Sequence, residues 1–212
     1  MKLNVKTASF LPVLIAGLAF FVSFIAHAQE GTYSERIAQH REEKDDEFRD
    51  PSESPLDKKG IRKFKGLSYY PPDESYRVKA RFILNETPVL FKMPTTTTRL
   101  PEYIKYGDLE FELEGNTYRL EVYRNFEINS RAGYEDYLFV PFTDETNGGE
   151  TYDMGRYLDF RVPDSEEVYL DFNLAYNPYC CYSDNFSCPI PPAANQLPLA
   201  VRAGEKKYAM KH

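Results

Sequence analysis

The chain changes its hydrophobic period twice. Phe10 to Ile25 is an almost uncharged apolar run, interrupted by Pro12, Gly17 and Ser23. Residues 34–48 are strongly charged and hold few apolar positions, Ile37 and Phe48 among them. So sparse a pattern gives a helix only a thin apolar stripe. We expect that helix over Ser34–Phe48, with Ser34 as N-cap and Asp50-Pro51 as its stop. Ser54-Pro55-Leu56 reads as the start of a second short helix, with Ser54 as cap, Pro55 in the first turn and Gly60 closing it. From Tyr76 the period becomes strand-like. Strands are expected over Tyr76–Phe82, Val89–Phe91, Arg99–Tyr106, Asp108–Leu113, Tyr118–Tyr123, Tyr137–Phe142, Arg156–Val162, Val168–Phe172 and Pro198–Arg202. Glu114-Gly115-Asn116 is a hairpin signal between two of them. Cys188-Pro189-Ile190-Pro191-Pro192 must be irregular, since consecutive prolines cannot join a ladder. The expectation is a mainly β fold with a helical N-terminus (α+β), an antiparallel sandwich or partly closed barrel of about eight strands. The helical segment spans 29–75 and the β-rich body 76–212, within one domain and without an internal repeat.

The first apolar run changes the picture of where the protein works. Lys2 and Lys6 precede it, and Ala26-His27-Ala28 follows with small residues where a signal peptidase reads. This is the three-part pattern of a secretory signal over residues 1–28. The run is also short for a span of about 20 apolar residues. No cysteine follows it to take a lipid. Cleavage after Ala28 leaves 184 of the 212 residues, beginning at Gln29. The protein is then periplasmic or extracellular, without a stable membrane anchor after processing; a retained anchor is the rival reading. A chain of this size buries about 70% of its unfolded surface. The net charge is −7, and losing Lys2 and Lys6 makes it −9. That argues against nucleic acid and anionic membrane surfaces as partners.

Candidate chemistry is sparse. After processing, only His40 and His212 remain, one in the charged helix and one at the last position. Neither suits a Ser-His-Asp or Cys-His machine, or a histidine-built zinc site. Asp144, Glu145, Asn147, Glu150 and Asp153 surround Gly148-Gly149, an oxygen-rich loop of the kind that holds calcium, but its spacing departs from the EF-hand pattern and suits a solvated loop. We expect no metal and no cofactor. Arg156, Asp159, Asp171, Asn173, Asn177 and Arg202 lie in or beside predicted strands. Buried, such groups must be hydrogen-bonded. They form either a network that pins the C-terminal loop or a site for a polar ligand, with Arg156 or Arg202 pairing a carboxylate or phosphate. Cys180, Cys181 and Cys188 fall within nine residues. An oxidising compartment favours a disulfide. Adjacent cysteines, about 3.8 Å apart at Cα, are a poor pair, so Cys188 pairs with Cys180 or Cys181. Asn85-Glu86-Thr87 and Asn185-Phe186-Ser187 match the glycosylation triplet.

Two stretches carry a resemblance. One is Gly155-Arg156-Tyr157-Leu158-Asp159, preceded by Phe142-Thr143-Asp144 and Thr151-Tyr152. The other is Asp171-Phe172-Asn173, Asn177-Pro178-Tyr179-Cys180 and Cys188-Pro189, continuing to Asn195, Leu197-Pro198 and Arg202-Ala203-Gly204-Glu205. With Phe48, Ser54-Pro55-Leu56 and Phe64-x-Gly66-Leu67, they make the chain similar to the bacterial family called domain of unknown function 1684. The resemblance implies a shared fold and no activity. It favours Cys180 as the partner of Cys188 and leaves Cys181 as the residue that departs from the pattern.

The function expected on this basis is an exported domain that binds a small polar ligand or a protein partner through its C-terminal loop face. The alternatives are a histidine-independent hydrolase or lyase using Asp, Glu, Arg or Tyr, and an envelope structural protein.

Overall fold

A computed structural model describes residues 31–208. The expected signal, residues 1–28, and His212 lie outside the described residues. The first helix, α1 (Tyr33–Arg49), begins one residue before the expected start. Its cap is Thr32 rather than Ser34, because Thr32 and Glu35 form a reciprocal capping box that Ser34, with Ile37 three residues on, cannot make. Ile37 and Phe48 are its buried residues, the thin stripe expected. The second helix, α2 (Lys58–Lys63), is capped by Asp57 and contains Gly60. Ser54 does not cap it; its hydroxyl donates to Phe48 O at 2.8 Å, tying off the end of α1.

The body is a single antiparallel sheet curled into a partly closed barrel. Its strands are β1 (Arg77–Leu84), β2 (Leu90–Lys92), β3 (Glu102–Leu113), β4 (Asn116–Asn125), β5 (Tyr137–Phe142), β6 (Arg156–Arg161) and β7 (Glu167–Asp171), with a short helix α3 (Phe126–Asn129) after β4. The order is β6-β5-β4-β3-β1-β7, with β2 also on β3. The two strands expected over 99–113 are one. A register shift between Lys105 and Gly107 divides it, so that β2 pairs one half and β1 the other. The expected hairpin joins β3 to β4, where Leu113 faces Asn116.

Alternation sorts the sheet's side chains into two clusters. Leu109, Leu120, Leu138, Val140, Phe142 and Leu158 belong to the main core. Tyr103, Tyr123, Tyr137, Phe139 and Tyr157, from the same strands, form an aromatic cluster with Met93 and Cys188. β5 is buried at all six positions because both clusters use it.

The expected strand at Pro198–Arg202 is absent. Leu197, Leu199, Val201 and Ala203 do cover the main core, but as an extended strap outside the ladder. The carbonyls of Val201 and Ala203, which a neighbouring strand would engage, are taken by the Arg156 guanidinium. Gly204 turns the strap at φ +76, where a Cβ would lie 2.6 Å from Ala175 O. Only glycine meets both conditions without strain.

Candidate functional site: an aromatic cleft beside a cysteine pair

The polar residues singled out in the sequence do not converge on one site. Arg156 is fully buried and forms an ion pair with Asp144, also buried, at 2.7 Å. Its other bonds go to the strap carbonyls of Val201, Ala203 and Glu205, and its charge is therefore answered inside the fold. Asp171 accepts from the Tyr33 hydroxyl at 2.9 Å and from Asn173 N at 3.0 Å. Asn173 exchanges two hydrogen bonds with the backbone of Asp73. Asn177 donates its amide N–H to Glu205 and its side-chain amide to Lys206 O. Arg202 is exposed and pairs with Glu150. These groups stitch the turn at Asp73, the loop after β7 and the strap to one another. In the oxygen-rich loop, Asp144 is held by Arg156 and Thr146, Asn147 by Thr151 and Tyr152 O, Glu150 by Arg202, and Asp153 by Lys207. Of the two glycosylation triplets, Asn85 uses its side-chain amide on Lys105 O.

Asp159 differs. It sits on the aromatic face of β6, is exposed, and lines a cleft of about 760 Å³. The walls come from Tyr103 on β3, Tyr137 and Phe139 on β5, Tyr157 on β6, and Tyr176, Tyr179 and Phe186 on the loop after β7. The rings meet edge to face: Phe139 with Tyr157 at 4.7 Å, Tyr157 with Tyr176 at 5.9 Å and Tyr179 with Phe186 at 5.1 Å, the arrangement their quadrupoles favour. Asp159 Oδ1 accepts from the hydroxyls of Tyr137 at 2.8 Å and Tyr176 at 2.6 Å. Oδ2 receives no hydrogen bond from the described residues. Burial, reinforced by this carboxylate, pushes both phenols well above their usual range, so at neutral pH they are donors and not phenolate bases. Lys44 of α1 and Arg99 also line the cleft. Lys44 lies 5.6 Å above the Tyr176 ring and pairs with Glu47. A smaller depression of about 220 Å³ adjoins, where Asp159 and Asn173 come together with Lys44 and the exposed His40 of α1.

The cleft aromatics were not singled out in the sequence. The signal was present in the alternation of Tyr137-Leu138-Phe139-Val140 and Tyr157-Leu158-Asp159. Aliphatic residues take one face there, while aromatic and acidic residues take the other.

The three cysteines are free thiols. Cys188 is buried at the cleft wall. Cys180 is half-buried, and its backbone N–H donates to Cys188 Sγ at 3.2 Å. The Tyr152 hydroxyl donates to Cys180 Sγ at 3.6 Å. Cys181 turns the other way, into the cluster of Phe48, Leu56 and Tyr182, where burial pushes its thiol up to about 12.

An uncharacterized protein of Haloarcula marismortui, solved by solution NMR, is similar to this chain, with 40% identity and a TM-score of 0.64 over 84% of this chain and 95% of its own. No curated protein matches. The family profile described as protein of unknown function (DUF1684) matches residues 62–206, a span that takes in the whole sheet, the aromatic walls of the cleft, Cys180, Cys188 and the strap, and the chain belongs to that family.

Proposed function

We propose that the protein is an exported binding domain whose aromatic cleft takes a small polar ligand, one that presents hydroxyl or amine donors on one side and an apolar face on the other. The observation that carries this is the position of Asp159: a carboxylate oriented by two tyrosine hydroxyls, with a second oxygen that takes no hydrogen bond from the described residues, at the wall of an open aromatic groove. Flat aromatic walls with a few placed polar groups are the usual make-up of a small-molecule site. That second oxygen suits a donor, and the rings suit the apolar face of the same molecule. The reading moves the ligand from the expected C-terminal polar residues to the neighbouring cleft. Export rests on the signal pattern over residues 1–28, and the oxidising destination supports a Cys180–Cys188 disulfide.

Saturation-transfer NMR with a panel of monosaccharides, disaccharides and amino acids tests the cleft. Binders are expected to lose their transfer in Asp159→Ala and Tyr157→Ala, and to keep it in Arg202→Ala. Binders equally retained by all three variants would refute the cleft as the site.

A further inference from the structure

We infer that Cys180 and Cys188 are a thiol–disulfide exchange pair, with Cys180 the attacking thiol and Cys188 the resolving one. This rests on the pairing proposed above and goes beyond it, because a pair that only staples a loop needs neither an accessible attacking sulfur nor donors aimed at it.

Both are present here. Cys180 is half-buried and Cys188 is only 7% exposed, so Cys180 is the more exposed residue of the two. The Tyr152 hydroxyl donates to Cys180 Sγ at 3.6 Å, and Cys188 and the Thr96 hydroxyl stand beside it. The Thr96 hydroxyl is oriented in turn by accepting from Cys188 N at 3.1 Å, and Thr96 N donates to Cys188 O at 2.9 Å. Such donors favour the thiolate over the thiol. The bond from Cys188, the largest influence, brings Cys180 down to about 6. The same bond, followed by burial, pushes Cys188 up. One proton therefore leaves before the other, which makes Cys180 the first to attack; Cys188 gives up its proton only as it resolves the mixed disulfide. Cys181, next in sequence, faces the separate cluster of Phe48, Leu56 and Tyr182, where burial outweighs the rest and pushes its thiol up to about 12.

The co-reactant is a small-molecule disulfide. The Cys180 thiolate attacks one of its sulfurs, forms a mixed disulfide and expels one thiolate. Cys188 then attacks Cys180 Sγ, passing its proton to a departing thiolate, and the second thiolate leaves as the Cys180–Cys188 bond closes. The dithiol loses two electrons, and the external disulfide gains them as one thiol and one thiolate. In the reverse direction, an external dithiol reopens the bond.

The test uses the full processed chain. Iodoacetamide pulses on the reduced native protein at pH 7 are expected to alkylate Cys180 at least ten-fold faster than Cys181 or Cys188, and this arm needs no variant. Oxidised glutathione is expected to yield an unadducted Cys180–Cys188 disulfide in the wild type, and a glutathione adduct held on Cys180 in Cys188→Ser. Native disulfide that resists millimolar dithiothreitol without denaturant would overturn exchange while leaving the pairing intact. Preferential alkylation of another cysteine, or no adduct on Cys188→Ser, would also overturn it. A Cys181–Cys188 link on non-reducing peptide mapping would overturn the pairing itself.

Discussion

A guanidinium sealed from solvent must have its charge answered by the protein, and Arg156 is answered by Asp144 and three carbonyls of the strap. Removing one member of such a pair strands the other in low dielectric. Arg156→Ala is therefore expected to cost roughly 3–5 kcal/mol, read from the urea midpoint. Asp144→Ala/Arg156→Ala should lose less than the sum of the two single variants, because neither charge is then left alone; simple additivity would contradict the pairing. Glu205 is the opposite case, a buried carboxylate that no cation of the described residues contacts. It accepts from the Tyr182 hydroxyl and from Asn177 N. Burial nevertheless raises it from 4.5 to about 7. A carboxyl raised on folding holds its proton better in the native state, so its contribution is full below pH 4.5 and is lost as the pH rises through about 7. The loss is about 3 kcal/mol at 1.36 kcal/mol per unit. Glu205→Gln removes the titration. The difference in urea midpoint between wild type and variant should change across pH 4.5–7, and a constant difference would refute the assignment.

At the scale of elements, α1 is joined to the body by very little apolar surface. Phe48, one of its two buried residues, stacks on Phe64 at 5.5 Å and meets Tyr182 edge-on at 4.8 Å. Arg41 and Asp45 add bonds to Tyr70 O and Leu67 N. Phe48→Ala opens a cavity at this joint and should cost about 3–5 kcal/mol. Amide hydrogen exchange in α1 should quicken while the β3–β4 amides stay protected, because the hairpin's core lies in a separate cluster. Equal acceleration in both would mean that α1 and the sheet open as one unit. The strap shows why an element can be missed. Its inward residues alternate like those of a strand, and its carbonyls are occupied like those of a strand, but by a side chain 45 or more residues away.

At the scale of the molecule, among the described residues no helix is long and apolar enough to cross a membrane. The proposal of export has a direct readout. Intact-mass analysis of material collected outside the cytoplasm should begin at Gln29, and a mass that retains residues 1–28 would contradict it. The described residues form one compact unit. In it, one face of the curled sheet is sealed by the strap, while the other carries the aromatic cleft.

Local pattern was enough for the class of fold, the strand positions from Tyr76 to Phe172 apart from the division of β3 into two, the hairpin and the thin stripe of α1, because each depends on neighbours a few residues apart. Cap choice at Thr32 was also written locally, in the Thr32-Glu35 spacing, though Ser34 stood nearer the apolar stripe. The sequence named Arg156, Asp159 and Asn177 as polar groups needing partners. It could not name the partners. Only the tertiary structure decided that Arg156 meets Asp144, that Asp159 alone among the six opens on the aromatic cleft, and that Cys180 and Cys188 lie side by side with Tyr152 and Thr96 around them. The reason is physical. A side chain's period reports which face of an element it occupies, but charge pairing, burial and a thiol's acidity depend on what the folded chain brings within a few ångströms from dozens of residues away.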